Sequence, residues 1–482
     1  MIFSILISHI NSEELIFVST HFRHGARAPI KLGPYYYDLV KEKWTNPGEL
    51  TAIGQRMHYI LGLRNRLRYI SNHHFLSEKF NPHEILVYSS AFNRTIESAL
   101  AQLQGLYPSD DNLGLTLNED QEKEAIPDVD YHDTYITDKI DKIKGYSIPN
   151  LMTLIPVTMI NDNERKISIY DIGECEKKRD EIKEKNRKTL PIIINMEINF
   201  NEKYKKILNE FYGTYETYDF NFMNKFCDAI ISDTAEGHNL TEFKKTGIEV
   251  NEIREYCYEV QKMNFQELIL GDDEHILAPL EASKLMREII HYMKQRIDID
   301  INQENVEEEY SDYSRPKMVM ISGHDSTISA HEMFIINCLG YGDDYFRMAK
   351  YASHLALEVT RPKAPPEQVK KMTYKDYTLN YYMNDELLLQ LPVDEFIRKI
   401  EAKLWTDEQI DKFCGFKSSD NKGNSALSST QIMITIILIT LVIIFLTSSV
   451  ILSVKLFLLN KKYKKTELQI SMIERNSLNE NA

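Results

Sequence analysis

With 482 residues the chain is long enough for one large domain or two ordinary ones, with a substantial buried core. Its 72 Asp and Glu against 57 Lys and Arg leave a formal net charge of -15, which argues against nucleic acid as a partner. Any anionic ligand must therefore be won locally, against the overall field. The five cysteines, Cys175, Cys227, Cys257, Cys338 and Cys414, show no CxxC or Cys/His spacing of a zinc site, and their odd number leaves one unpaired in an oxidised monomer.

The chain opens on "MIFSILISHI", a short apolar stretch without a basic start; residues 1–13 read as a signal peptide chiefly because the other end of the chain calls for one. Three short apolar runs follow along the sequence: "LIFVST" (15–20), "ILVYSS" (85–90) and "MVMIS" (318–322). Each has the length and residue types of a buried strand. Each runs straight into charged or imidazole side chains, in "HFRHGAR", "AFNRT" and "GHDST".

Between the first two runs, "GELTAIG" opens a helix predicted to continue through Tyr69, with Met57, Ile60, Leu61 and Leu67 as its apolar stripe. After "AFNR" a second helix is predicted from Thr95 to Leu106, with Ile96, Ala99, Leu100, Leu103 and Leu106 on one face. Strands alternating with helices predict an α/β sheet flanked by helices, with functional groups gathered beyond the carboxyl ends of the strands. Residues 108–316 change character: charge is dense, as in "CEKKRDEIKEKNRK", and Leu280, Leu285, Met286, Ile289 and Met293 recur at helical spacing, which predicts a mostly helical insertion. "LALEV" and "YTLNYYM" read as antiparallel strands at the sheet edge, so the sheet is expected to be mixed.

Residues 418–431 form a polar linker, and residues 432–454, "IMITIILITLVIIFLTSSVILSV", carry no charge over more than the roughly 20 residues that cross a bilayer as a helix. Lys455, Lys461, Lys462, Lys464 and Lys465 follow, and such a basic flank stays cytoplasmic. The expected topology is a single-pass type I membrane protein with a tail over 455–482 and the large N-terminal part lumenal or extracellular.

The turn "RHGARAP" combines Arg23, His24 and Arg27. A neutral imidazole is a competent nucleophile, and flanking guanidiniums bind a tetrahedral oxyanion, phosphate above all, through paired hydrogen bonds. Gly25 is expected to let the backbone approach such a ligand, and Pro29 to stiffen the exit. Positive side chains already surround the expected anion, and no carboxylate cluster for Mg²⁺ lies nearby in sequence, so no metal or cofactor is expected. His21 and His24 form a His-x-x-His pair without further ligands; a structural role for His21 is favoured over metal binding. His58 carries no assignment.

"RHGARAP" resembles the RHGxRxP signature of the histidine acid phosphatases. "ELTAIGQRMHYILGLRNRLRYI" resembles that family's Leu-Thr-x-x-Gly helix, "SSAFNRTIESALAQLQGLYP" its second arginine segment and "SGHDSTIS" its His-Asp motif, in the right order; the branch most alike is the membrane-anchored lysosomal or prostatic one. The resemblance implies a histidine phosphatase, or phosphoglycerate mutase-like, fold over 14–417 and metal-independent hydrolysis of phosphomonoesters in a lysosome, a digestive vacuole or at the cell surface. It implies His24 as a nucleophile forming a phosphohistidine, Asp325 as the acid for the leaving alcohol, and Arg23, Arg27, Arg94 and His324 as phosphoryl ligands.

The resemblance also implies a Cys175–Cys414 disulfide and a homodimer as a possible state. A family cysteine near "YASH" is replaced by His354, which leaves Cys257 or Cys338 as the partner of Cys227. Of two sequons, Asn93 adjoins Arg94, where a glycan would obstruct the site, so Asn239 is the glycosylation candidate. Two other functions stay open: a noncatalytic membrane receptor on this fold, and an inositol-phosphate phosphatase of the same superfamily.

Overall fold

The computed structural model describes residues 13–30, 44, 46–109, 115–127, 134–143, 145–148, 152–160, 173–212, 215–238, 249–270, 277–303, 315–342, 345–415, 455, 459, 461 and 462. The chain divides into two units, Met1–Phe416 and Lys417–Ala482. In the second, the four described positions are helical. Residues 1–12, Asn239 and the apolar segment 432–454 lie outside the described residues; among those described, no helix is long and apolar enough to cross a membrane.

The first unit is organised on a seven-stranded sheet of order β3-β2-β4-β1-β5-β6-β7. Its strands are β1 Glu13–Arg23, β2 Ile85–Ser90, β3 Thr158–Ile160, β4 Met318–Gly323, β5 His354–Pro362, β6 Thr378–Met383 and β7 Glu386–Pro392. The three apolar runs form β1, β2 and β4, which pair in parallel. They are buried on both faces, which is why they read as continuous rather than alternating hydrophobic segments. "LALEV" and "YTLNYYM" form β5 and β6, antiparallel as expected, but β5 lies inside the sheet against β1. The edge on that side is β7, which had no strand signal because its outward residues are polar or, like Leu387, left 47% exposed. At the other edge, β3 falls within residues 108–316, so the insertion is not wholly helical.

Two helical layers cover the sheet. On one face lie α1 Ala52–Asn65, followed by a π-helical stretch over Arg66–Asn72, and α2 Asn93–Leu106. The insertion contributes α3 Glu119–Glu124, α4 Thr134–Lys142, α5 Gly173–Thr189, α6 Pro191–Tyr212, α7 Phe220–Ala235, α8 Val250–Leu270 and α9 Leu277–Asn302. On the other face α9 packs beside α10 Asp325–Leu339; a single helical turn over Pro366–Val369, a 3-10 turn over Tyr374–Asp376, and the helices α11 Val393–Glu401 and α12 Asp407–Cys414 follow. In β1, Leu15 and Val18 face the first layer while Ile16 and Phe17 both face the second. A register shift between Leu15 and Phe17 accounts for two neighbours on one side of a strand.

The face that α1 buries is not the predicted one. Ile60 and Leu67 are more than half exposed, and the buried set is Gly54, His58, Leu61, Gly62 and Asn65. The cause is the closeness of α1 to α2: a Cβ on Gly62 would stand 1.9 Å from Gln102 O, and one on Gly105 2.1 Å from Tyr59 O. Only small residues allow that approach, so the contact face reads as polar or empty while the larger side chains point outward. In α2, likewise, Ala99, Leu103 and Leu106 are buried but Leu100 is exposed.

The insertion has its own aromatic core, with Phe200, Tyr204, Tyr218, Phe220 and Phe226 around the Cys227–Cys257 disulfide that joins α7 to α8. Cys257, rather than Cys338, therefore partners Cys227, and Cys338 is a free thiol. Cys414 is disulfide-bonded, and the side chain of Cys175 lies outside the described residues.

Candidate active site

The register of the three parallel strands makes one place out of three distant motifs. Arg23 lies opposite Gly323 across β1 and β4, and Ser89 opposite Ser322 across β2 and β4, so all three strands end together. His24 follows β1 directly, Arg94 sits in the first turn of α2 after β2, and His324 is the N-cap residue of α10 with Asp325 next. All six predicted site residues meet here; His24, Arg27, Arg94, His324 and Asp325 line one cavity of about 390 Å³, with Arg23 immediately behind Asp325.

His24 is buried, and its Nδ1 lies 2.8 Å from the carbonyl oxygen of Gly25. A carbonyl only accepts, so Nδ1 carries the proton and Nε2 keeps its lone pair. Burial, then the charges of Arg23 and Arg27, then His324 and Arg94, hold the ring's pKa well below the usual imidazole value. His324 is held down likewise, by burial first and by Arg94 next. Its Nδ1 receives Arg94 Nη2 at 3.4 Å and its Nε2 donates to Ser90 Oγ at 3.0 Å; Ser90 in turn meets Thr95 Oγ1 at 2.8 Å. The two rings, His24 and His324, meet edge to face at 5.6 Å.

Each buried arginine is oriented by partners. Arg23 donates to Ala349 O at 2.8 Å and to Asp325 Oδ2 at 2.7 Å, with the Tyr351 ring beneath it at 4.5 Å. Arg27 is gripped bidentately by Asp228, at 2.7 and 3.3 Å. Although burial opposes charge on both, the pair keeps Arg27 more firmly protonated and Asp228 below the usual carboxylate range. His58 sits behind the turn, bridging Arg23 O at 3.0 Å and the Gln102 side chain at 3.1 Å.

Gly25 has a different reason from the expected one. A Cβ there would meet Gly54 O at 2.3 Å, and one on Gly54 would meet Ala26 O at 2.2 Å, so glycine is required for α1 to pack on the turn rather than for approach to a ligand. His21 is fully buried and points to the other face of the sheet, its Nδ1 at 2.9 Å from His331 Nδ1 and its Nε2 at 3.1 Å from Ser19 Oγ. That engagement answers to the structural role. Among the described residues, no three His, Cys, Asp or Glu side chains gather as a metal site.

Asp228 from α7, and Arg179 and Lys183 from α5, also belong to this cavity and were missed in the sequence. Nothing local distinguishes them from the many charges of the insertion. Burial, then Arg179, lowers Lys183 to about 8.

The sequence profile of the histidine phosphatase superfamily (branch 2) matches residues 14–374. The lysosomal acid phosphatase of Xenopus laevis is 44% identical over 99 residues, 20% of this chain and 22% of that protein. The prostatic acid phosphatase of Bos taurus is 39% identical over 101 residues, 20% of this chain and 25% of that one. The aligned stretches thus span about a quarter or less of these relatives. The phytase of Citrobacter braakii shares the fold, with a TM-score of 0.51 at 13% identity over 83% of this chain and 99% of that one.

Proposed function

Because the chain belongs to the histidine phosphatase superfamily, branch 2, we propose that it is an acid phosphatase that hydrolyses phosphate monoesters through a phosphohistidine on His24. The observation that carries this reading is the Nδ1 contact of His24 to Gly25 O, which leaves Nε2 unprotonated beside three arginines. Nε2 attacks phosphorus, the bond to the ester oxygen breaks, and Asp325 gives its proton to the departing oxygen. Water then attacks the phosphohistidine, returns a proton to Asp325 and breaks the P–N bond, releasing inorganic phosphate. Arg23, Arg27 and Arg94 hold the phosphoryl oxygens as charge shifts between them, and His324 joins them when Arg94 turns to the phosphate and Nδ1 takes the ring proton, with Ser90 Oγ then donating to Nε2, so no step calls for a metal.

The two protonation states set the pH range. His24 stays a base in acid because burial and the arginine charges depress its pKa, while the leaving-group step requires a proton on the acid. Activity is therefore highest below neutral pH and declines past pH 8. A noncatalytic receptor on this fold usually loses one of these groups, and the chain retains them all, which favours the enzyme. We place the site in a lumenal or extracellular compartment, with residues 432–454 as anchor; the apolar segment and the lysosomal names of the relatives support this.

The test is hydrolysis of 4-nitrophenyl phosphate at pH 5 with a chelator present. Wild type is expected to be active and His24→Ala inactive, with acid-quenched wild type carrying acid-labile phosphate. Equal rates in the two proteins overturn the mechanism, and loss of wild-type activity to the chelator overturns metal independence.

A further inference from the structure

One aromatic ring borders both arginines and the histidine of the turn after β1. The Tyr351 ring centroid lies 4.5 Å from Arg23 Cζ, 5.9 Å from Arg27 Cζ and 5.8 Å from the centroid of His24. Its hydroxyl pairs with Ser232 Oγ at 2.9 Å, one turn of α7 beyond the Asp228 that grips Arg27. The backbone around Tyr351 is bound to the same turn. Ala349 O accepts from Arg23 Nη1 at 2.8 Å, Ser353 O accepts from Arg23 N at 2.9 Å, and Ala352 N donates to His24 O at 3.2 Å. Ala352 has a left-handed φ of 56°, which a residue other than glycine keeps only where its surroundings hold it. Residues 349–353 are thus a strap fastened across Arg23 and His24, and Tyr351 is the side chain it delivers to them.

Among the partners of Arg23, Asp325 gains and loses a proton in each turnover, so its pull on the guanidinium changes. Arg23 Nε is buried without a hydrogen-bond partner among the described residues. The Ala349 carbonyl and the Tyr351 ring are the side-chain partners that the chemistry leaves unchanged; the carbonyl fixes one edge of the guanidinium, and the negative ring face attracts its charge. We infer that Tyr351 is a positioning residue that keeps Arg23 aimed at the phosphoryl group while Asp325 changes its protonation. This rests on the phosphatase reading for what Asp325 does.

The test is titration of the full chain at pH 5.5 with orthovanadate, which takes the five-coordinate geometry of the transferring phosphoryl group, and with inorganic phosphate. Tyr351→Leu is expected to lower kcat on 4-nitrophenyl phosphate and to weaken vanadate about tenfold each, with KM and phosphate affinity within about twofold. Tyr351→Phe keeps the ring and is expected to stay within about threefold of wild type. In an Arg23→Ala background, adding Tyr351→Leu should cost vanadate affinity about twofold or less, because the ring acts through Arg23. Wild-type behaviour of Tyr351→Leu, equal weakening of both anions, equal losses in both backgrounds, or a loss in Tyr351→Phe as large as in Tyr351→Leu overturns the inference. If Tyr351→Leu does not melt cooperatively, Tyr351→Met is measured in its place. Inactivity of wild type toward 4-nitrophenyl phosphate would instead sink the phosphatase reading, before any variant is compared.

Discussion

Arg23 Nη2 donates to Asp325 Oδ2 at 2.7 Å, which ties the end of β1 to the first residue of α10 beside His24. Asp325→Asn keeps the shape of that contact but has no proton to give. On alkyl phosphates kcat is expected to fall by about 10²–10⁴. On 4-nitrophenyl phosphate, whose leaving group departs without a proton, the loss should be much smaller. Steady-state kinetics with both substrates decides the matter, and equal losses would remove Asp325 from the role of acid.

Asp228 neutralises Arg27 at the wall of the cavity. Asp228→Asn leaves a buried guanidinium uncompensated, which costs about 3–5 kcal/mol in comparable pairs. Inorganic phosphate can supply the missing charge. The variant is therefore expected to melt well below wild type and to recover more with phosphate than wild type does; a thermal shift that phosphate raises equally in both would show that Asp228 does not serve Arg27.

Gly54 and Gly342 make a matched pair. A Cβ on Gly54 would press within 2.2 Å of Ala26 O, whereas one on Gly342 meets nothing within 4 Å. Gly54→Ala is expected to lose about 1–3 kcal/mol of stability, together with phosphatase activity, because the strain falls on the turn that holds His24. Gly342→Ala should be indistinguishable from wild type in denaturant unfolding and in rate.

Buried neutral histidines make the fold acid-sensitive. Burial lowers His58 to about 4 and His331 to about 3, and holds His21 well below its usual value. Between those values and the unfolded value near 6.5 the unfolded chain binds more protons, so stability falls as pH falls, by about 1.4 kcal/mol per pH unit for each such ring. The effect is absent above pH 6.5. Urea unfolding at pH 7 and pH 4.5 should show it, with a shallower loss in the His21→Leu, His331→Leu double variant. An unchanged slope in that variant would mean the pair is not titrating.

The central strands and the residues at their ends were legible because the information is local. An uninterrupted apolar run such as "MVMIS" can only be a buried strand or a short piece of buried helix, and the residues after it decide which. The faces of α1 and α2 were not legible. Gly62 and Gly105 are packing residues only because each helix meets the other there, and a pattern count credits Ile60 and Leu67 instead. Strand β7 escaped for the opposite reason: an edge strand buries too little to leave a periodic signal.

By itself the sequence determined three buried strands and the groups that end them, since each depends on neighbours in the chain. Tertiary structure decided that β2, β4 and β1 lie side by side, so that Arg94, His324, Asp325 and His24 share one cavity. It also drew Asp228 and Lys183 out of a crowd of equivalent charges. A side chain acquires its role from what surrounds it: Arg27, the partner of Asp228, lies 201 positions away in the chain, and Lys183 meets the cavity beside Glu281 of α9.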